Sequence, residues 1–315
     1  MDQAVNAAVK PETDAGHWSR TPERSNALAL KIITWIALHL GRRVARWVLH
    51  PITLYFVLFA PAARRHARRY LARALGRPPR FIDGYRQVFA FASTILDRVY
   101  LLRWPLSRFR VQTQGAELLD ATLAEGRGAF LVGAHMGSFE VLRAVGESRP
   151  GVRVAMVMYP DNARLVNNAL RAIAPQMQPH IIALGRPESM LQVRDWLDGG
   201  GLAGMLADRT LPTEGERGSE VLVPFLGAPA AFTDGPFRLA ALLRRKVIFM
   251  AGLYLGDDRY DVRFETLADF SQRCDAAERE RRIHAAVAAY AARLETLCRE
   301  HPHNWFNFHD FWRED

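Results

Sequence analysis

His135 is the residue in this chain best placed for acid–base chemistry, because of what surrounds it. The stretch LVGAHMGSFEVL sets it behind an apolar run and ahead of a helix start, with Glu140 five residues further on. Histidine ordinarily titrates near neutral pH, so it can take a proton from an attacking hydroxyl or amine. A carboxylate on the far ring nitrogen would fix its tautomer and stabilise the imidazolium that forms. Residues five apart diverge on a continuous helix but can meet across a strand–turn–helix junction. The sequence therefore predicts His135 as general base and Glu140 as its orienting acid. Ser138 reads as the N-cap of the helix. Gly133 and Gly137 read as positions where a missing side chain lets substrate come close. The helix N-terminus would offer amides to a tetrahedral oxyanion. Spacing alone is weak evidence, since His309 and Glu314 repeat it in a tail with no strand ahead. The strand, the glycines and the helix start single out His135.

The elements that must carry this pair follow from hydrophobic patterning. Apolar runs at 129–135, 152–159, 180–185, 201–208, 246–254 and 260–267 alternate with candidate helices at 138–149, 161–174, 187–199, 233–245 and 276–300. Short apolar runs separated by helices predict an α/β fold with a largely parallel central sheet flanked by helices. In such sheets ligands bind at the carboxyl ends of the strands, which is where His135 falls. An amphipathic helix is expected over 81–104, with Phe89, Ser93 and Leu96 on one face.

Apolar residues make up 49% of the 315 and charged residues 24%, the balance of a folded protein. The two cysteines, Cys274 and Cys298, sit in no CxxC or zinc-ligand spacing. A reduced setting and no metal site are expected, and a cluster of His301, His303 and His309 lacks a ligand spacing. The net charge is +9, yet residues 41–80 alone hold ten arginines and no Asp or Glu. The basic character is thus one N-terminal feature, pointing to an anionic surface. Beside it lies WVLHPITLYFVLFAPAA, residues 47–63, an apolar run broken only by His50 and Pro51. It falls short of the roughly 20 apolar residues a span needs. We therefore expect an N-terminal membrane-associated helical segment, monotopic or re-entrant, with arginines against lipid phosphates. The aromatics form an uncharged block rather than a stacking ladder, which argues against nucleic acid. The expected organisation is a disordered leader over 1–23, the membrane-associated segment over 24–80 and a catalytic domain over 81–315.

Residues 129–140 resemble the His-x4-acid motif of glycerolipid and lipid A acyltransferases. MLADRT (205–210) resembles the Ala-Asp-Gln/Arg segment of the late lipid A acyltransferase branch. VPFLGAPAAFTDGPFRLA (223–240) resembles that branch's Pro-Phe-Phe-Gly and Thr-x-Gly-Pro-x-x-Leu-Ala signature. HWSR (17–20) and NWFNFHDFW (304–312) are similar to a shorter branch of predicted acyltransferases linked to aryl polyene or pigment lipids. The resemblance implies catalysis by His135 and Glu140, with Gly137, Ser138, Asp208 and Arg209 lining the site and Arg209 facing a phosphate. It implies that Phe225, Thr233, Gly235 and Pro236 shape an acyl channel, although Thr233 or Asp234 also reads as a simple N-cap. Arg164 and Arg171 are candidate headgroup contacts or a solvated face.

The activity so implied is transfer of an acyl chain from an acyl-carrier-protein or CoA thioester to a lipid or glycolipid hydroxyl or amine. It would need no cofactor and would take place at the cytoplasmic face of a bacterial inner membrane rich in anionic phospholipids. Arg244, Arg245 and Lys246 are a candidate docking spot for an acidic carrier. Family members acting on lipid A usually end in a basic segment, whereas this chain ends FHDFWRED, which places the acceptor in question. Two other readings stand beside this one: a non-catalytic lipid- or carrier-binding protein, and a thioester hydrolase with Ser138 as nucleophile. MGSFE lacks the strained serine elbow that the second would use.

Overall fold

The computed structural model describes residues 24–160, 180–209 and 220–312. The strands are β1 (Arg110–Gln114), β2 (Ala129–Gly133), β3 (Val154–Met158), β4 (His180–Ala183), β5 (Leu202–Leu206), β6 (Glu220–Phe225), β7 (Ala228–Thr233), β8 (Lys246–Tyr254) and β9 (Arg259–Asp269). The helices are α1 (Arg24–Phe59), α2 (Pro61–Leu75), α3 (Phe81–Leu101), α4 (Glu117–Glu125), α5 (Phe139–Glu147), α6 (Pro187–Asp198), α7 (Gly235–Leu243) and α8 (Ala276–Glu300). The helix expected over 161–174 lies outside the described residues, as do 1–23.

A seven-stranded sheet runs in the order β1-β9-β8-β2-β5-β3-β4, with every neighbouring pair parallel except β8 and β9. The largely parallel sheet flanked by helices is what the patterning predicts. The antiparallel pair has a simple cause: only Leu255–Asp258 separate β8 from β9. Four residues make a hairpin but cannot make the crossover a parallel pair needs.

Strand alternation divides the interior in two. Phe130, Val132, Val247 and Phe249 enter one core, with α6, α7 and α8. Ala129, Leu131, Ile248 and Met250 enter the other, with α3, α4 and α5. Successive side chains on a strand point to opposite faces, so a sheet covered on both sides must read as a continuous apolar run. The strand β1 has no such run, and each strand of the hairpin β6–β7 holds a proline, Pro224 and Pro229, so neither is legible as a strand in the pattern. The hairpin is closed by Leu226 and Gly227, both at positive φ (50° and 81°), the conformation that matches the twist of paired strands.

At the N-terminus, α1 is broken at Gly41, whose φ is 79°. Among the described residues no single helix is long and apolar enough to cross a membrane. The pair Leu38–Phe59 and Pro61–Leu75, bent by 93°, meets that test together by length and composition. A buried polar cluster fixes α1 to the body. Arg42 donates from Nε and Nη2 to the two oxygens of Asp97 (2.7 and 2.9 Å), and the Tyr260 hydroxyl donates to the same carboxylate (2.7 Å). Arg46 adds a bond to the Tyr254 hydroxyl (2.6 Å). Removing one partner of a buried ion pair leaves the other uncompensated. Asp97→Ala is therefore expected to lower stability by about 3–5 kcal/mol in chemical denaturation. An unchanged midpoint would show that α1 is not held through this carboxylate.

Candidate active site

Strands β2 and β5 are parallel and paired from Ala129↔Leu202 to Gly133↔Leu206. The ladder continues one step beyond, with Ala207 N–H donating to Gly133 C=O (3.1 Å). This register delivers His135 and Asp208 side by side at the carboxyl ends of two central strands. Asp208 Oδ1 lies 2.8 Å from His135 Nδ1, and Oδ2 accepts the His135 backbone N–H (3.0 Å) and the Trp305 indole N–H (2.9 Å). A carboxylate only accepts, so Nδ1 carries the proton and Nε2 presents its lone pair outward. The His135 side chain is 35% exposed while that of Asp208 is buried. Burial by itself would raise the Asp208 carboxyl, but the charge and hydrogen bond of His135, the Arg209 charge and the Trp305 bond outweigh it and hold it below the usual carboxylate range.

Glu140 takes a different place from the one its spacing suggests. It sits buried in the first turn of α5, with its Oε1 2.7 Å from Arg98 Nε of α3. The pair is ionic, at an angle too bent for a hydrogen bond. The expectation that Glu140 orients the ring is therefore corrected: Asp208 occupies Nδ1, and Arg98 claims the Glu140 carboxylate. The physical reason lies in the turn. Ser138 caps α5 through Oγ, accepting from Val141 N–H (3.3 Å), while its own N–H donates to Gly252 C=O (2.7 Å). The start of α5 is thereby docked on β8, and Glu140 faces α3.

Gly137 has a further requirement beyond the one inferred from sequence. Its φ is 62°, and a Cβ there would lie 1.9 Å from the Gly252 carbonyl oxygen. The missing side chain thus permits contact with β8, not with substrate. The Gly137 N–H donates to Asn304 C=O (2.9 Å). The amides of Gly137 and Ser138 are thus already engaged and are not the oxyanion donors expected from the helix start.

Arg209 follows Asp208, donates from Nη2 to Phe306 C=O (3.2 Å), and has a buried Nε with no acceptor among the described residues. Phe225 is fully buried, its ring 5.4 Å from Trp305 and 5.2 Å from Phe232, so it supports the site from the core and does not line a wall. Thr233 and Gly235 form the turn into α7, where the threonine oxygen accepts the Gly235 N–H (3.2 Å). Asp234 does not cap; its carboxylate binds Arg238 (2.6 Å). Arg164 and Arg171 lie outside the described residues. Arg245 is buried and bonded to Asp198 and the Arg127 carbonyl, and Lys246 pairs with Glu125. Both stand at the amino end of β8, away from His135, so they are not a free docking patch. An open cleft between Arg153, His180 and Trp196 is likewise at the amino ends of its strands.

The closing segment is the contributor that sequence reasoning undervalued. Phe306 N–H donates to His135 C=O (2.9 Å), and Met136 bridges Trp305 in antiparallel fashion. The aromatic run NWFNFHDFW was the available signal, and Trp305, Phe306 and Phe311 are buried.

Fold and site together define an α/β protein with a carboxylate–histidine pair at the carboxyl edge of a parallel sheet, an arrangement able to remove a proton. The match with known families is specific: residues 18–314 correspond to the family described as bacterial lipid A biosynthesis acyltransferase, and the chain belongs to it. Comparison with curated proteins finds no match. Membership indicates an acyltransferase and implies an acyl donor and a lipid acceptor.

Several histidines around the closing segment titrate low. Burial, then the nearby Arg209 charge, brings His309 down to about 4. Burial likewise lowers His301 and His303. Between the unfolded value near 6.5 and the folded value, the unfolded chain binds more protons, so stability falls as pH drops through that window. His309→Gln is expected to reduce the slope of stability between about pH 6.5 and 4. An unaltered slope in denaturation midpoints across this range would contradict the assignment.

Proposed function

We propose that the protein transfers an acyl chain from a carrier-protein or CoA thioester to a hydroxyl or amine of a membrane lipid. His135 Nε2 is the general base. It removes the acceptor's proton as the acceptor oxygen or nitrogen attacks the thioester carbonyl, and returns that proton to the departing thiolate. Asp208 fixes the tautomer and stabilises the imidazolium, and Glu140 with Arg98 anchors the junction that carries the histidine. The observation that carries the reading is the 2.8 Å contact between His135 Nδ1 and buried Asp208, with the histidine side chain itself 35% exposed. Arg209, whose Nε has no acceptor among the described residues and which stands next to Asp208, supports recognition of an anionic group on one substrate. Ser138 has no feature favouring a nucleophile, since its oxygen is buried and engaged as a cap.

The acceptor we favour is a lipid other than the phosphorylated disaccharide, along the aryl polyene or pigment-lipid line. Its support is the aromatic segment 304–312, in which Asp310 pairs with Arg69 at 3.3 Å and so occupies one of the arginines that could meet a phosphate. We also infer a peripheral attachment at the cytoplasmic face of the inner membrane. Trp47 and Phe59 are 76% and 69% exposed, and Leu54, Tyr55, Phe56 and Leu58 are exposed beside them. An apolar surface of this kind next to Arg64, Arg65 and Arg68 suits the boundary of an anionic bilayer.

Purified His135→Ala and Asp208→Asn are each expected to lose about 10²–10⁴-fold in transfer rate while keeping their fold. Glu140→Gln should cost less in rate than Asp208→Asn but lower stability by roughly 1–3 kcal/mol. Labelled acyl-carrier-protein thioester with extracted bacterial membrane lipid provides the assay, and full turnover by His135→Ala would refute the base. Replacing Trp47, Tyr55 and Phe59 by serine should weaken cosedimentation with anionic vesicles by at least about tenfold. Equal binding by the triple variant would remove the inferred membrane surface.

A further inference from the structure

The closing segment touches the reacting pair in a way that a simple core-filling role does not need. Asn304, Trp305 and Phe306 run antiparallel to His135, Met136 and Gly137, with backbone bonds on both sides of Met136. The Trp305 indole turns from that ladder to reach Asp208. One short stretch therefore grips both the backbone of the base and the carboxylate behind it.

We propose that Trp305 is a positioning residue for proton transfer: its indole N–H fixes the second oxygen of Asp208 and so sets the plane in which His135 is held. The inference rests on the acyl-transfer reading above. A carboxylate bonded only to an imidazole can rotate about its Cβ–Cγ bond and tilt the ring with it. Here Oδ2 accepts the indole at 2.9 Å and the His135 backbone N–H at 3.0 Å, leaving Oδ1 to the ring. Partners behind a functional side chain fix its orientation and its basicity, and their loss typically costs about 10- to 100-fold in activity.

The indole is itself held from every side. Its ring meets Tyr70, Phe311 and Phe225 edge-on at 4.9, 5.0 and 5.4 Å. The Tyr70 hydroxyl donates to Pro302 C=O (2.8 Å), and Gln87 Nε2 donates to the Trp305 carbonyl (2.8 Å). Trp305 is fully buried, so its N–H cannot exchange Asp208 for water without a cost. The other titratable groups within electrostatic reach of Asp208 are Arg209, Tyr290, Cys298 and His309. None of these has a hydrogen bond to its carboxylate among the described residues.

The test separates the N–H from the ring's bulk. Trp305→Phe removes both, whereas β-(3-benzothienyl)alanine at 305 keeps the shape and replaces N–H by sulfur. Each full-length protein is assayed with dodecanoyl carrier protein and extracted bacterial membrane lipid, alongside His135→Ala. The benzothienyl protein is expected to unfold within a few degrees of the parent, and to lose about 10- to 100-fold in kcat with little change in KM for the thioester. The acid limb of its pH–rate profile should move upward, because a carboxylate with one donor fewer stabilises the imidazolium more strongly. Proton NMR gives a readout without turnover: the downfield His135 Nδ1–H signal, absent in Asp208→Asn, should shift in the benzothienyl protein. Parent-like kcat, pH profile and Nδ1–H signal would overturn the proposal for Trp305. Full turnover by His135→Ala would instead refute His135 as the base of the proposed reaction, while the NMR comparison would still decide whether Trp305 holds the pair.

Discussion

A carboxylate removed from water must be surrounded by donors or it neutralises, and Asp208 is surrounded by three. The His135 ring, the His135 backbone and the Trp305 indole each donate to it. Three separate parts of the chain meet here: the end of β2 and the closing segment supply the donors, and the end of β5 supplies the acceptor. The site exists only when the β2–β5 register, the turn into α5 and the docking of residues 304–306 are all in place. Each of those features is itself a backbone arrangement with little tolerance. A slip of one residue between β2 and β5 would send Asp208 to the other face of the sheet.

The glycines at 137 and 252 express the same constraint. Backbone meets backbone there, with Ser138 N–H on Gly252 C=O and room for no Cβ on either residue. This close approach holds the first turn of α5 against β8 and turns Glu140 toward Arg98. The two acids near the histidine therefore divide the work by location. Asp208 addresses the imidazole, and Glu140 ties the helix that follows it to α3. The pair nearest in sequence is not the pair nearest in space.

The N-terminal region is attached by different physics. Arg42, Arg46, Asp97 and Tyr260 form a polar junction between α1, α3 and the β8–β9 hairpin, and beyond it the exposed face of α1 is aromatic. A rigid junction of this kind keeps α1 in a fixed relation to the sheet edge where His135 lies. On the acyl-transfer reading, a water-borne thioester and a lipid acceptor meet at that boundary.

The sequence by itself determined the alternation of strands and helices, because strands buried on both faces must be apolar throughout, as 129–133 and 246–254 are. It also marked His135 as the candidate base, since a histidine at a strand end with glycines around it has few structural uses. Tertiary structure alone decided which carboxylate serves that histidine. Asp208 lies 73 residues away, and only the parallel register of β2 and β5 brings it within 2.8 Å. Strand β1 and the β6–β7 hairpin were hidden for other reasons: β1 is polar and largely exposed, and each hairpin strand carries a proline, which reads as a break and not as a strand. Trp305 was readable as a buried aromatic, but its indole partner depends on where two distant strand ends meet. Spacing along a chain fixes neighbours within one element, whereas contacts between elements are set by packing.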